Sequence, residues 1–410
     1  MPLIVQKFGG SSVADADRIR RCAQRAYDAK RAGNDVVVVV SAMGKTTDKL
    51  IELANEITPS PAKREMDQLM AAGEQVSIAL TAIALETLGQ DAVSLTGAQA
   101  GILTESTHTK ARIRTINPEN VRRHLREGRV VVVAGFQGVT PDGQVTTLGR
   151  GGSDTTAVAL AAGLRADECE IYTDVDGIYT ADPRIVPDAR KIERISYEAI
   201  LELASLGAKV MASRSILFGM KYNVRIHVRH SMLPDTGTWI VPETQDMEAE
   251  EVTGVALKTN LGRITLTGLP GGPGVQSRIF AAVSAASIMV DDIIQSETAP
   301  DHTTVSFTVD HADLVDIKPV LDKILRELGR GEVQVDVGLC KVSAVGVGMR
   351  SHTGVAAKMF KALAEARSAD GRGIQIQNIT TSEIKISCIL AKADGEAALR
   401  AVHAAFELGK

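Results

Sequence analysis

Lys7-Phe-Gly-Gly-Ser-Ser12 packs a cation, two residues without side chains and two hydroxyls into six positions. It follows an apolar run that starts at Leu3 and precedes a helical pattern in which Ile19, Cys22, Ala23, Ala26 and Tyr27 share one face. Gly9 and Gly10 therefore read as a strand-to-helix turn. There, backbone N–H groups can approach an anion, and a helix N-terminus adds its positive dipole end. With the charge of Lys7, this is a cradle for phosphate. The P-loop pattern is excluded, because at the decoy Gly44-Lys45-Thr46 the required first glycine would be Val39. A second glycine-rich turn, Arg150-Gly-Gly-Ser-Asp154, leads into a helical run from Thr155 to Leu164 and offers a guanidinium whose fork suits a carboxylate. Asp154 stands where the dinucleotide fingerprint needs its third glycine, so that motif is excluded as well. The third segment, Tyr172-Thr-Asp-Val-Asp-Gly-Ile-Tyr-Thr-Ala-Asp-Pro-Arg184, is loop-like, acidic and carries two tyrosines. It suits a base and ribose, or helps to hold Mg²⁺. Asp174, Asp176 and Asp182 lack the spacing and terminal Glu of an EF-hand, which argues against calcium. Phosphoryl transfer asks for such a set: donors and cations around the phosphates, and a nucleophile held in line.

These groups need a scaffold that brings them to one edge. Over the first 240 or so residues, Val/Ile-rich runs at 3–8, 35–40, 129–134, 170–173 and 223–228 alternate with helical stretches such as 13–32, 62–88 and 190–206. Near-continuous apolar strands separated by helices predict a mostly parallel sheet covered on both faces. Ligands bind such sheets beyond the carboxyl ends of the strands. The clusters Lys7–Gly10, Ser41-Ala-Met-Gly44 and Thr173-Asp174 each follow directly after a strand. Pro234, Gly237 and Pro242, then Glu248, Glu250 and Glu251, mark a boundary. Beyond it the chain repeats itself: Gly274-Val-Gln-Ser-Arg-Ile-Phe280 matches Gly354-Val-Ala-Ala-Lys-Met-Phe360 at a period of 80. Each copy reads strand, Gly turn, helix, strand (288–294 and 374–379), strand (303–309 and 384–390) and helix, the ferredoxin-like βαββαβ order. The expected class is α/β, with a catalytic domain over 1–245 and ferredoxin-like domains over 263–338 and 339–410, strand 252–260 joining the last. Tandem copies after a catalytic half suggest a regulatory module; a scaffold that only dimerises is the alternative.

The bulk numbers narrow the class. A chain of 410 residues holds two or three domains. A net charge of −4 without a basic block leaves nucleic acid no electrostatic footprint. Cys22, Cys169, Cys340 and Cys388 are scattered, form no metal-type pair and fit reduced, buried thiols. The N-terminus lacks a signal-peptide core, and no run approaches the roughly 18 apolar residues of a membrane span. No membrane partner and a cytoplasmic location are expected. Aromatics are only 3%, so the core must come from Val, Ile, Leu and Ala.

Taken in order, Lys7–Ser12, Ser41–Gly44, Gly73-Glu74, Gly149–Asp154, Tyr172–Arg184 and Gly207-Ala-Lys-Val210 resemble the aspartate kinase family, across essentially the whole chain. The resemblance implies an amino-acid-kinase domain followed by two ACT domains, and the reaction ATP + L-aspartate → ADP + 4-phospho-L-aspartate with Mg²⁺. That step opens the route to lysine, threonine, methionine and diaminopimelate. Carried over, Lys7, Phe8, Gly9, Gly10 and Ser11 would hold the phosphates, with Ser41 nearby. Thr173, Asp174, Tyr179, Asp182, Arg184, Lys209 and Val210 would line the rest of the ATP site. Thr47, Glu74, Arg150, Gly151, Gly152, Ser153 and Asp154 would bind aspartate, Arg150 taking the α-carboxylate and Glu74 the ammonium. Lys7, Arg150 and Asp154 would be the catalytic set. The substrate carboxylate has a reference pKa of about 3.9 and is already ionised at pH 7, so Asp154 has no proton to remove and is read as an orienting group. Other acceptors (glutamate, carbamate, a nucleoside monophosphate) and a non-enzymatic amino-acid sensor are the competing readings. Arg150, Thr47 and Glu74 favour an amino acid, and Lys7, Arg150, Asp154 and Lys209 together argue against a degenerate site.

The resemblance also implies effector sites in the ACT pair. The first would use Gly274, Val275 and Gln276, facing Asp291, Asp292, Ile293 and Gln295. The acidic pair Asp291-Asp292 suits the ammonium of lysine. The second would use Thr353, Gly354, Val355, Asn378, Ile379 and Ser382. Feedback inhibition by lysine, threonine or both is expected, with a homo-oligomer formed through the ACT half. A shorter regulatory subunit beginning near Met247 belongs to the same expectation. Pro270-Gly-Gly-Pro273 and the longer loop Ser368–Gly373 depart from the family pattern.

Overall fold

The computed structural model describes residues 1–207, 210–299 and 302–410. Lys209, expected at the nucleotide, lies outside the described residues. The chain divides into two compact units: residues 1–179 with 191–247, and residues 180–190 with 248–410.

The first unit is built on an eight-stranded sheet. Its order is Arg194–Ser196, Thr238–Val241, Ile226–His230, Glu168–Thr173, Leu3–Phe8, Asp35–Val40, Val130–Ala134 and Ala92–Leu95. Pairing is parallel except where Thr238–Val241 turns back on Ile226–His230. Val36–Val40 and Val130–Val133 are fully buried, as expected of β-branched runs covered on both faces. Register aligns Phe8 with Val40 and Tyr172, and Tyr172 with Arg229, so these strands end at one edge. Helix Ala16–Arg31 covers one face through Ile19, Cys22, Ala23 and Ala26. Helix Gly152–Leu164 is Ala-rich and buried on nearly all sides. Helix Lys63–Thr87 is 25 residues long and apolar enough by composition to cross a membrane, but half of its most apolar window is buried in the protein.

Two expectations change. The stretch 190–206 is not one helix: Arg194–Ser196 is an edge strand, and Ser196 then accepts the Ala199 N–H to cap helix Tyr197–Ser205. The glycine turn does not feed straight into a helix either. Gly10–Val13 is a 3₁₀ turn, and the Asp15 side chain accepts the Arg18 N–H and takes the first N-terminus of helix Ala16–Arg31.

The second unit has one six-stranded antiparallel sheet ordered Asp291–Ala299, His302–Asp310, Gly254–Pro270, Glu332–Val345, Lys385–Ala391 and Asn378–Thr381. Two long strands, Gly254–Pro270 and Glu332–Val345, serve both sequence repeats. Their register runs from Gly254↔Val345 to Thr267↔Glu332, with irregularities near Leu261. One core gathers Ile264, Ile279, Phe307 and Leu321 of the first repeat; the other gathers Val342, Met359, Leu363, Leu399 and Val402 of the second. The second core also takes in Ala181 and Val186 from the distant segment 180–190. Thr180 anchors that segment: its carbonyl accepts from Val255 N–H at 2.7 Å, and its hydroxyl lies 3.0 Å from His403 Nε2.

Candidate active site

The four aligned strand ends place polar groups together. Lys7 is 8% exposed, and its Nζ lies 2.6 Å from Asp154 Oδ1. A Cβ on Gly9 would meet that ammonium at 3.4 Å, and one on Gly10 would strike the Ala42 carbonyl at 2.9 Å. Gly10 requires glycine because backbone approaches backbone there, while at Gly9 a side chain would crowd the Lys7 ammonium. The turns after two neighbouring strands are zipped together by Ser41 N–H to Phe8 O and Gly44 N–H to Gly10 O.

The helix terminus that faces this edge is that of Gly152–Leu164. Its N-cap Gly151 has φ 68° and no side-chain cap, so first-turn amides lack an intrahelical acceptor. Arg150 stands exposed between Gly149 and Gly151, both left-handed, at the tip of this turn. Ser153 Oγ hydrogen-bonds Ser41 Oγ at 2.9 Å. Thus the second motif, not the first, supplies the dipole end.

Glu74 completes the cluster. It is 2% exposed, and its Oε1 accepts from Ala42 N–H at 3.0 Å, while Oε2 has no partner. Burial pushes its carboxyl up to about 7, against the pull of the Ala42 hydrogen bond. Gly73 packs on Ala42 with Thr47 Oγ1 near, so Ser41, Thr47, Glu74 and Ser153 share one neighbourhood. Gly135 and Phe136 were not among the expected residues. Gly135 lies against Ser153, and Phe136 holds φ 68° while its N–H donates to Thr156 Oγ1. The signal was present, because both follow a buried strand at the same sheet edge.

The turn bearing Arg150 is braced from behind. Asp67 is fully buried and accepts from Thr147 Oγ1 at 2.6 Å and Thr109 N–H at 3.1 Å, with His108 Nδ1 at 2.7 Å. Arg214 donates to the carbonyls of Leu148 and Ala111.

Further along, Thr173 ends its strand and donates to Asp174. Tyr179 donates to Asp176, which pairs with Lys191 at 2.7 Å. Val210 is half-buried. Asp182 and Arg184, expected at the nucleotide, lie in the segment 180–190 that clusters with the second unit, where they bond each other at 2.7 Å. Ala181 and Val186 beside them enter that unit's core, with Ile185 and Ala189 packed against it. In the same unit, Gly274 caps helix Val275–Ala285 at φ 96°, and Gln276 donates to Gln295 at 2.8 Å. Gly354 does the same for helix Val355–Glu365, with Thr353 just before it. Asn378 and Ile379 lie on an edge strand, and Ser382 N–H reaches Lys385 O. Ile293 is 53% exposed. Asp291 and Asp292 do not offer a free acidic pair: the fully buried Lys341 holds both, at 2.7 and 2.5 Å, and Thr380 and Thr308 donate to Asp292.

Among the described residues no three His, Cys, Asp or Glu side chains gather into a metal cage. Asp154 beside a phosphate cradle fits the arrangement Mg²⁺ takes, one or two carboxylates plus phosphate oxygens.

The sequence and fold have known counterparts. A profile of the amino acid kinase family matches residues 2–230, and one of the ACT domain matches residues 342–406. The aspartate kinase of Pseudomonas putida is 50% identical over 409 residues, covering 100% of this chain and 98% of its own. The aspartokinase of Mycolicibacterium smegmatis is 49% identical over 414 residues, covering 100% and 97%. The crystal structure of E. coli aspartokinase III with aspartate and ADP, in its R-state, matches with a TM-score of 0.79 at 25% identity, over 98% of this chain and 99% of that one. The same protein with lysine and aspartate, in its T-state, gives 0.75 at 25% identity, again over 98% and 99%.

Proposed function

The chain belongs to the aspartate kinases of the amino acid kinase family and is an ATP-using phosphotransferase, and from that premise we propose how its residues divide the work. The observation that carries the assignment is Glu74 Oε2: a buried, unpartnered carboxylate oxygen beside Ser41, Ser153 and the Lys7–Asp154 pair. A buried acceptor without a donor is costly, and a substrate ammonium satisfies it. Arg150 takes the α-carboxylate of aspartate as a bidentate fork. The side-chain carboxylate then faces the γ-phosphate, attacks phosphorus as an anion and displaces ADP, with no proton to be removed.

Lys7, the Gly9–Ser11 backbone and the first turn at Gly152 stabilise the negative charge that moves across the phosphates. Asp154 holds Lys7 in place, and with the nucleotide phosphates it would hold Mg²⁺. When bound, that ion neutralises phosphate charge. Thr173, Asp174, Tyr179 and Val210 line the nucleoside side.

Regulation is the second part of the reading. Lysine, threonine or both act through the paired ferredoxin-like repeats, at Gly274–Gln276 with Gln295, and at Thr353–Val355 with Asn378, Ile379 and Ser382. The exposed apolar residues Met289, Ile293, Val337 and Ile379 support assembly of two or more copies through this unit. A shorter subunit starting near Met247, a cytoplasmic location and a place at the head of lysine, threonine, methionine and diaminopimelate synthesis complete the proposal.

Coupled ADP release with L-aspartate and Mg-ATP, alone and with each effector, tests both parts. Turnover that requires aspartate and falls with an effector is expected. Turnover with glutamate but not aspartate would overturn the substrate; indifference to both amino acids would overturn the regulation. Asp154→Asn should lose rate by roughly 10²-fold or more, the scale of one electrostatic group at a transferring phosphate. Its pH–rate profile should stay flat between about pH 7 and 9, because no proton transfer is lost. A new inflection there would restore a general-base role.

A further inference from the structure

The geometry points to a second ligand site, for a small planar aromatic anion, at the far end of the eight-stranded sheet. A cavity of about 480 Å³ opens there, lined by Arg194, Asn223, Arg225, Trp239, Val241, Pro242 and Thr244. That volume lies within the small-molecule range.

Three neighbouring strands build it. Trp239 is register partner to both Arg194 and His227, so these side chains form one row on one face. The next row, Ile195, Ile240 and Ile226, is fully buried and points into the core. The first row is therefore left to the opposite face. His227 stacks on Trp239 with ring centroids 3.8 Å apart, and the Arg225 guanidinium lies 4.8 Å from the indole centroid.

The site is separate from the phosphate cradle. Arg225 stands before the first residue of Ile226–His230, whose other end meets Thr173 at the catalytic edge. Five residues of strand part them, about 16 Å at 3.3 Å per residue.

The chemistry of the lining selects the ligand. The indole, stacked with His227 and overlain by Arg225, joins Pro242 and Val241 as an apolar wall against which a π-ring can pack. Two guanidiniums answer a carboxylate or phosphate. Neither is neutralised by a close carboxylate: Arg194 has only Asp246, 3.7 Å away with both exposed, and Arg225 rests on the indole with no carboxylate within 4.0 Å among the described residues. Asn223 and Thr244 supply polar rim groups. An aromatic ring carrying an anionic group uses every surface; a nucleotide and an aromatic acid both have that form.

Trp239 is the chain's single tryptophan, so its emission reports this pocket alone. The full-length protein, saturated with aspartate and free of ADP, which has the same form as the proposed ligand, is titrated with AMP, with benzoate and with inorganic phosphate. AMP held only at the phosphate cradle is told apart by its indifference to the arginine substitutions below. Saturable loss of emission with AMP or with benzoate, and none with phosphate, is expected, and whichever binds identifies the source. Arg194→Met with Arg225→Met should raise the half-saturating concentration at least about tenfold, the weight of one charge-assisted hydrogen bond. Turnover should remain within about twofold. Arg225→Lys keeps the charge but loses the flat stacking surface, and should fall between the two. No saturable change with either aromatic anion would overturn the site. So would a change that phosphate reproduces, or one that the arginine substitutions leave untouched.

Discussion

Glu74 shows how one carboxyl couples folding and function in opposite senses. Burial lifts its pKa from 4.5 to about 7. Between those values the folded chain keeps a proton that the unfolded chain has released. The group's contribution to stability is therefore full below about pH 4.5 and lost as pH rises through about 7. Binding runs the other way, since only the carboxylate attracts an ammonium. At saturating ATP, kcat/KM for aspartate should climb toward about pH 7 and then level off. Glu74→Gln should abolish that climb and raise KM for aspartate by about 10- to 100-fold, the loss of a charge-assisted bond. It should also unfold no more readily than the parent at about pH 8. A surviving inflection near pH 7 in the variant would remove Glu74 from the ammonium site. Residue types such as Lys7, Arg150 and Asp154 were legible as chemistry because few environments ask for a cation beside paired glycines. The unpartnered oxygen of Glu74 and the left-handed Phe136 were not, because both depend on what packs around them.

Elements decide where those residues point. The sequence suggested that the helix after Gly10 aims its positive end at phosphate; Asp15 claims that end, and the uncapped helix behind Gly151 takes the role. A capping aspartate five residues past a glycine pair was the available clue. The buried strands were read closely because valine runs leave little choice, whereas Lys191–Ser205 carried apolar residues at spacings that suit helix or strand. Asp67 braces the strand and loop beneath Arg150 through three donors. Asp67→Asn should therefore raise KM for aspartate several-fold while KM for ATP stays within about twofold. Equal increases in both would reduce Asp67 to a general stabiliser. In the second unit Lys341 ties the edge strand at Asp291 and Asp292 to the interior, and Thr380 from the opposite edge strand joins the same carboxylate. Lys341→Met leaves the buried Asp292 carboxylate without its cation, while Asp291 reaches solvent, and should cost up to about 3 kcal/mol, read as a lower denaturation midpoint of that unit. A midpoint unchanged, or raised, would mean that methionine's packing outweighs the pair.

At the scale of the molecule, the units of sequence and the units of folding do not coincide. Segment 180–190 leaves the first unit through the pair Ile178↔Ile192, inserts Ala181 and Val186 into the second core, and returns. Composition could not reveal this, because nothing in Thr180–Arg190 distinguishes a nucleotide loop from a core plug. A 247–410 fragment should therefore be less stable than the same residues in the whole chain, and a synthetic peptide of residues 178–192 should bind it and raise its midpoint. A fragment indifferent to the peptide would show that the plug contributes nothing to the fold. The plug also sets a rule of inheritance. A recombination event that exchanged everything downstream of Met247 between two relatives would carry over one core while leaving part of its filling with the other parent. Viable chimaeras should then be those whose 180–190 segments match the incoming C-terminal half, so that two stretches far apart in the gene evolve as one.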